Sequence, residues 1–238
     1  MKPDKNSLFD NIIANLPEKS AIADFGCGTG DFLNALAFKN KQHQLLGLDQ
    51  ISRPASLASH INYQQVDFNN KLSIPSNSFD LIISQHVLKH LTIPLLYFSE
   101  MVRSLKPGGF LLIEAPSDRS AWLSFPRNQY LNTILSFYDD PTHVGRPWTP
   151  QVFYRLALYH QLDFLAAEYD SNWKSKITLP FSFLKFLKDK NTDKFVSDYW
   201  SAIGWCCFAV LRKTTHSSPD MTYFSLKGKP HGGSESHR

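Results

Sequence analysis

The stretch Ala21-Ile-Ala-Asp-Phe-Gly-Cys-Gly-Thr-Gly-Asp31 decides how the rest of the chain is read. An apolar run ends at Asp24, glycines follow at every second position (Gly26, Gly28, Gly30), and Asp31-Phe-Leu-Asn-Ala-Leu-Ala opens a helical pattern. That order is a strand, a tight turn and a helix. Alternating glycines suit a backbone that takes positive φ or lies against a ligand with no Cβ in the way.

The same residues constrain the ligand's charge. A dinucleotide loop wants Gly-x-Gly-x-x-Gly, but the third position falls on Asp31 or on Leu33, depending on the register. Asp24 at the strand end and Asp31 at the helix start would also repel a pyrophosphate, at a cost of several kcal/mol in a cleft of intermediate dielectric. A cationic ligand is favoured, and S-adenosylmethionine, with its ammonium and sulfonium, meets that description.

Further along come Leu45-Leu-Gly-Leu-Asp49, Val66-Asp67, Phe79-Asp-Leu-Ile-Ile-Ser-Gln-His86 and Leu105-Lys-Pro-Gly-Gly-Phe-Leu-Leu-Ile-Glu114. With Asp24-x-Gly26-x-Gly28-x-Gly30 they resemble the ordered motif set of class I S-adenosylmethionine-dependent methyltransferases, over roughly residues 18 to 170 and the last strand near 210. The resemblance implies a doubly wound α/β fold, a Rossmann-like sheet of seven mostly parallel strands. It also implies a cofactor set of Asp24, Gly26, Cys27, Gly28, Gly30, Asp49, Gln50, Asp67, Phe68 and Gln85. Asp24 would lie near the methionine ammonium and Asp49 would accept the ribose hydroxyls, as a carboxylate ending the second strand does. Asp67 would accept from the adenine amino group, with Phe68 offering a backbone amide and a ring edge; the competing reading makes Asp67 a turn cap before Asn69-Asn70. Where the family often carries Glu-His this chain has Lys89-His90, which puts a catalytic acid at position 89 in doubt.

The 238 residues, 42% hydrophobic and 19% charged, suit one large globular domain with an embedded cap. A net charge of +4 with no dense Lys/Arg block does not indicate nucleic acid. Three cysteines, Cys27, Cys206 and Cys207, give neither a disulfide framework nor metal-ligand spacing. No signal core or long apolar run is present in the sequence, so the expectation is a soluble cytoplasmic protein acting on a small molecule, with a homodimer left open.

Strands are expected at 21–25, 44–48, 63–68, 79–84, 110–115, 162–169 and 205–212, the last antiparallel beside the sixth. Helices are expected over residues 1–17, from Asp31 to Phe38, from Tyr97 to Leu105 and from Thr149 to His160. The domain spans 1–212, with cap insertions at 116–147 and 172–200, and 213–238 reads as a disordered tail. The first insertion holds Trp122, Phe125, Pro126, Tyr130, Phe137 and Tyr138 and reads as a substrate cap. The second contains Leu179-Pro-Phe-Ser-Phe-Leu-Lys-Phe-Leu-Lys, a helix that packs on the cap, on a second copy or on a membrane surface.

Methyl transfer needs alignment and desolvation, with a base for an oxygen acceptor. His86 follows the fourth strand and His143 lies in Asp139-Asp-Pro-Thr-His-Val-Gly-Arg146; both are candidate bases, while His90 caps or packs. That segment resembles the Asp-Pro-Thr-His-x-Arg-Pro stretch of bacterial methyltransferases of glycan and small-metabolite pathways, with Gly145 inserted before Arg146. It suggests an acceptor site of Tyr138, Asp140, His143, Arg146 and Trp148, and an oxygen acceptor on a sugar or similar metabolite. An aromatic cap also admits a quinone or fatty-acyl precursor, and Lys89 admits a cofactor-binding partner protein that has lost catalysis. Asp139, Asp140 and His143 are interrupted by Pro141, so no metal centre is expected. Cys27, beside carboxylates, is a poor nucleophile.

Overall fold

The structure, a computed structural model, describes residues 5–39, 42–121, 134–189 and 192–215. Seven strands form one sheet: β1 (Ala21–Phe25), β2 (Gln44–Asp49), β3 (Asn62–Gln65), β4 (Phe79–Gln85), β5 (Leu105–Pro116), β6 (Asp163–Asp170) and β7 (Cys206–Arg212). Their order is β3-β2-β1-β4-β5-β7-β6, parallel throughout except that β7 runs antiparallel to both neighbours. The chain winds outward from β1 in one direction and from β4 in the other. The switch point between them is where an open α/β sheet binds its ligand.

Successive residues of the central strands bury on opposite faces, which is why these segments read as continuous apolar runs. Ala23, Phe25, Ile82, Leu111 and Ile113 face a core with helices α3 (Pro94–Ser104) and α4 (Pro150–Tyr159). Ile22, Leu81, Ile83 and Leu112 face the other, with α1 (Lys5–Ala14) and α2 (Asp31–Phe38). Helix α4 starts as its sequence dictates: Thr149 Oγ1 accepts from the Val152 amide at 3.2 Å, and Pro150 takes the first helical position.

Three expectations are corrected. The third strand ends at Gln65, because Asp67 turns the chain instead of extending it. Strand β5 begins at Leu105, with the expected Lys106-Pro-Gly-Gly turn inside it and an irregular register between Phe79 and Leu81 on its neighbour. Strand β7, by contrast, runs antiparallel beside the sixth as expected, and lies between β5 and β6. The second insertion is a helical hairpin, α5 (Trp173–Asp189) and α6 (Thr192–Ile203), not one helix. Leu179, Phe183 and Phe186 of α5 close on Phe195, Val196 and Tyr199 of α6 and on Leu135, forming a third apolar cluster. Trp122, Phe125, Pro126 and Tyr130 lie outside the described residues, as does the expected tail from residue 216. Among the described residues no helix is long and apolar enough to cross a membrane.

Candidate active site

Gly26, Gly28 and Gly30 all take positive φ, at 89°, 50° and 83°. Their reasons differ. A Cβ on Gly26 would run into Val87 and one on Gly30 would come within 2.5 Å of Leu57, whereas one on Gly28 would meet nothing within 4 Å. Gly26 and Gly30 therefore let the turn pack against the segments after β4 and β2, and Gly28 alone faces open space. The Gly26 and Cys27 amides donate to the Leu48 carbonyl at 2.7 and 3.0 Å, and the Gly28 amide donates to Asp49 Oδ2 at 2.8 Å. Cys27 packs under the turn; a Cβ on Gly47 would meet its Sγ at 2.8 Å. Burial, with Asp24 and Asp49 nearby, pushes its thiol up to about 12, so it is a packing residue.

Asp24 is buried at the end of β1, and burial together with the charge of Asp49 raises its carboxyl to about 7. Asp49 Oδ1 accepts from the Gln50 amide at 2.7 Å while Oδ2 holds Gly28, so one carboxylate fixes the shape of the loop. Gln50 extends from the same turn, its carbonyl held by Gln65 Nε2 at 2.9 Å. Asp67 accepts from the Asn69 amide at 2.9 Å and from Asn70 Nδ2 at 2.7 Å. That is the turn-cap arrangement. Phe68 is buried, its ring centroid 5.0 Å from Tyr97 and 6.1 Å from Phe25, so its ring belongs to the core.

At the carboxyl edge of β4 and β5 the residues converge. His86 is exposed and holds φ at 60°, a left-handed conformation unusual for a side chain of this size and the kind of local strain that collects at functional sites. Its amide donates to the Glu114 carbonyl at 3.0 Å. The Glu114 side chain is buried; Oε1 receives Lys5 Nζ and Oε2 receives Gln85 Nε2, each at 2.8 Å. Lys5 also reaches Asp170 at 2.9 Å, which ties α1 down over this edge. Burial opposes the charge on Glu114, but His86 and Lys5 outweigh it and hold the carboxyl below its usual range. Desolvation in the crowded cleft, then Lys89 and Lys5, keep the His86 imidazole below its ordinary pKa against the pull of Glu114.

Cys206, the first residue of β7, completes the group: ligand atoms of His86, Glu114 and Cys206 lie within 4.8 Å of one another. Lys5 already neutralises Glu114 there, so the trio reads as the polar end of a cleft. Lys89 stands with Nζ 5.9 Å from the Trp205 ring.

The 137–148 segment docks on the turn after β4. Gly145 donates to the Lys89 carbonyl at 2.9 Å, and a Cβ there would meet the Leu88 carbonyl oxygen at 2.8 Å, so the inserted glycine is required by this contact. The Thr142 carbonyl lies 3.1 Å from His90 Nδ1. His143 does not join His86. Its side chain has no exposed surface, Nδ1 donates to the Phe137 carbonyl at 2.6 Å, and desolvation holds its pKa down. Through Nδ1 it fastens the loop. Asp140 is likewise engaged, accepting from the Thr142 amide at 2.8 Å. Trp148 is wholly buried and stacks on Phe153 at 5.5 Å, behind the site rather than in it. Tyr138 is exposed, and exposed Arg146 lies 5.4 Å from the Trp148 ring.

Two residues of the cleft escaped the sequence reading. Glu114 carried a usable signal, a charge ending an otherwise apolar central strand. Lys5 carried none, since only the tertiary fold brings it across 109 residues to Glu114.

Residues 23–113 match the sequence model of a family described as a methyltransferase domain. A trans-aconitate 2-methyltransferase of Deinococcus radiodurans is 30% identical over 115 residues, covering 45% of this chain and 43% of its own. A demethylmenaquinone methyltransferase of Bacillus licheniformis is 31% identical over 104 residues, covering 41% of this chain and 45% of its own. The chain thus spans under half the length of these curated relatives. A Haemonchus contortus phosphoethanolamine N-methyltransferase 2, solved in complex with S-adenosyl-L-methionine, superposes with a TM-score of 0.63 over 89% of this chain and 52% of its own, at 18% identity. That likeness speaks for the fold alone.

Proposed function

We propose, from the premise that the chain carries a class I S-adenosylmethionine-dependent methyltransferase domain, that it methylates an oxygen of a polar small molecule, with His86 as the base. The residues fit the cofactor at three points: open space over Gly28, a loop shaped by Asp49, and paired acids, Asp24 and Asp49, suited to a cation. When bound, S-adenosylmethionine supplies a methyl carbon activated by a sulfonium. Asp24 and Asp49 would hold its positive charge, Gln85 would border it, and Asp67 and Phe68 would take part only through backbone or after the turn rearranges.

The observation that carries the oxygen acceptor is the placement of an exposed His86, its backbone held at φ 60°, within 4.8 Å of the buried Glu114 carboxylate. A neutral imidazole accepts the proton of an approaching hydroxyl, and the imidazolium that forms finds a carboxylate waiting. Gln85 and Lys5 keep that carboxylate in place. Cleft walls of Lys5, Lys89, Gln85 and Glu114 favour a polar acceptor, a sugar or similar metabolite, over a quinone or fatty-acyl chain. The three relatives and neighbours above are named for trans-aconitate, a demethylmenaquinone and phosphoethanolamine, so they give no common acceptor.

The experiment has two parts. Calorimetry with S-adenosylhomocysteine should show binding that Asp49→Ala weakens more than about tenfold, or 1.4 kcal/mol. Transfer of radiolabelled methyl to a library of hydroxylated acceptors should then fall ~100-fold or more in His86→Gln while S-adenosylhomocysteine binding is kept. Tight binding with no transfer to any acceptor would favour the non-catalytic partner reading.

A further inference from the structure

The α5–α6 hairpin buries one side of α5 and leaves the other uncovered. Trp173, Ile177, Phe181, Leu184 and Leu187, at steps of four, four, three and three, are 66, 58, 70, 63 and 50% exposed. These steps place them on one stripe of the helix, turned away from the side that Leu179, Phe183 and Phe186 press onto α6. Five large apolar side chains in one exposed row exceed what a monomer leaves to water without use.

The charges around the stripe say what it meets. From Trp173 to Asp189 the helix carries Lys174, Lys176, Lys185 and Lys188 against one acid, the terminal Asp189. By helical phase Lys174 and Lys185 border the stripe on one side, Lys176 on the other, and Lys188 ends it. A second copy of this helix would bring eight ammonium groups to an apolar seam against only the two terminal Asp189 carboxylates. An apolar row that includes an aromatic ring at one end and is edged by lysines is instead the pattern of a helix lying in the headgroup region of an anionic bilayer.

We propose that α5 docks this chain on an anionic membrane surface, its apolar row in the upper acyl region and its lysines among the headgroups. The hairpin leaves the sheet at Asp170 and returns at Cys206, the residues that flank Lys5 and Glu114 in the cleft. Docking stands apart from the acceptor assignment and needs no turnover to be seen.

Its test is co-sedimentation of the full chain with vesicles of phosphatidylcholine alone and with vesicles in which about one lipid in three is phosphatidylglycerol. The expected result is at least ~10-fold stronger binding to the anionic vesicles, weakened by added salt. The double substitution Phe181→Glu with Leu184→Glu should abolish it, as should Lys174→Gln with Lys185→Gln and Lys188→Gln, all with unchanged melting temperature because these side chains point outward. Equal binding to both vesicle types, or binding retained by the Phe181/Leu184 variant, would overturn the proposal. So would absence of vesicle binding alongside a dimer in light scattering that the same variant dissociates, which would assign the face to self-association.

Discussion

Lys5 Nζ lies 2.8 Å from Glu114 Oε1, joining the first turn of the first helix to the end of a central strand at the mouth of the cleft. Both side chains are largely shielded, 13% and 3% exposed, so the pair acts in a medium where its charges count. Lys5→Met keeps the aliphatic stem and removes the charge. The His86 pKa, held down in part by Lys5, should rise toward the ordinary imidazole value, read from its ring resonances in an NMR titration. Stability should drop by roughly 2 kcal/mol, less than the 3–5 typical of a broken fully buried pair, because Gln85 still donates to Glu114. An unmoved His86 titration would show that the two ends of the cleft are not coupled.

The three loop glycines separate by experiment. Gly26→Ala places a methyl against Val87 in a left-handed backbone and should cost about 3 kcal/mol, part of it recovered by adding Val87→Ala. Gly28→Ala meets no neighbour and should cost only about 1 kcal/mol in stability while weakening S-adenosylhomocysteine disproportionately. Melting curves and calorimetry on both variants check this. Equal losses of stability would contradict the packing difference between the two positions.

That difference marks how far the sequence could be read. The strand, turn and helix around Gly26 were legible because hydrophobic period and glycine placement are local signals. The alternation alone could not say which glycine faces a ligand and which clears a side chain 61 residues away, as Gly26 clears Val87. Asp67 shows the same limit: its position after a short strand fits either an adenine acceptor or an Asx turn, and the choice depends on where Asn69 and Asn70 point. Of the histidines, sequence order placed His86 and His143 equally well. Only the docking of the 137–148 segment on the turn after β4, through Gly145 and Thr142, turns one into a buried clasp and leaves the other in the open. The hairpin was legible as apolar density, and its second helix was hidden because α6 alternates charges with the residues that bury.

His160 sets an acid limit on stability. It is 2% exposed, packed at 5.2 Å from Phe98 and 4.7 Å from Tyr159, and burial pushes its imidazole down to about 4. In the unfolded chain it titrates near 6.5. The unfolded state therefore takes up a proton first, and the stabilising contribution present above pH 6.5 is lost as pH falls through 4, up to about 3 kcal/mol in all. His160→Leu should flatten the pH dependence of the urea midpoint between pH 6.5 and 4. An unchanged slope would place the acid sensitivity elsewhere.

Asp24 works in the opposite sense, and ligand binding should expose it. Its carboxyl is raised from 3.8 to about 7, so the folded chain keeps a proton that the unfolded chain has given up, and its contribution to stability is lost as pH rises through 7. A cation bound beside it reverses the preference, because the ionised form then gains a partner. Binding of S-adenosylhomocysteine, through its ammonium, should release a fraction of a proton near pH 6.5, and affinity should climb with pH and level off above about 7. Calorimetry at that pH in two buffers of different ionisation heat measures the release directly. Asp24→Asn should abolish it and weaken binding about tenfold. Asp49→Asn should reduce the release by a separate route, since the charge of Asp49 is part of what raises Asp24. Proton release that persists in Asp24→Asn would mean another group near the cleft titrates, and the reading of Asp24 as the acid that meets the ligand's ammonium would fail.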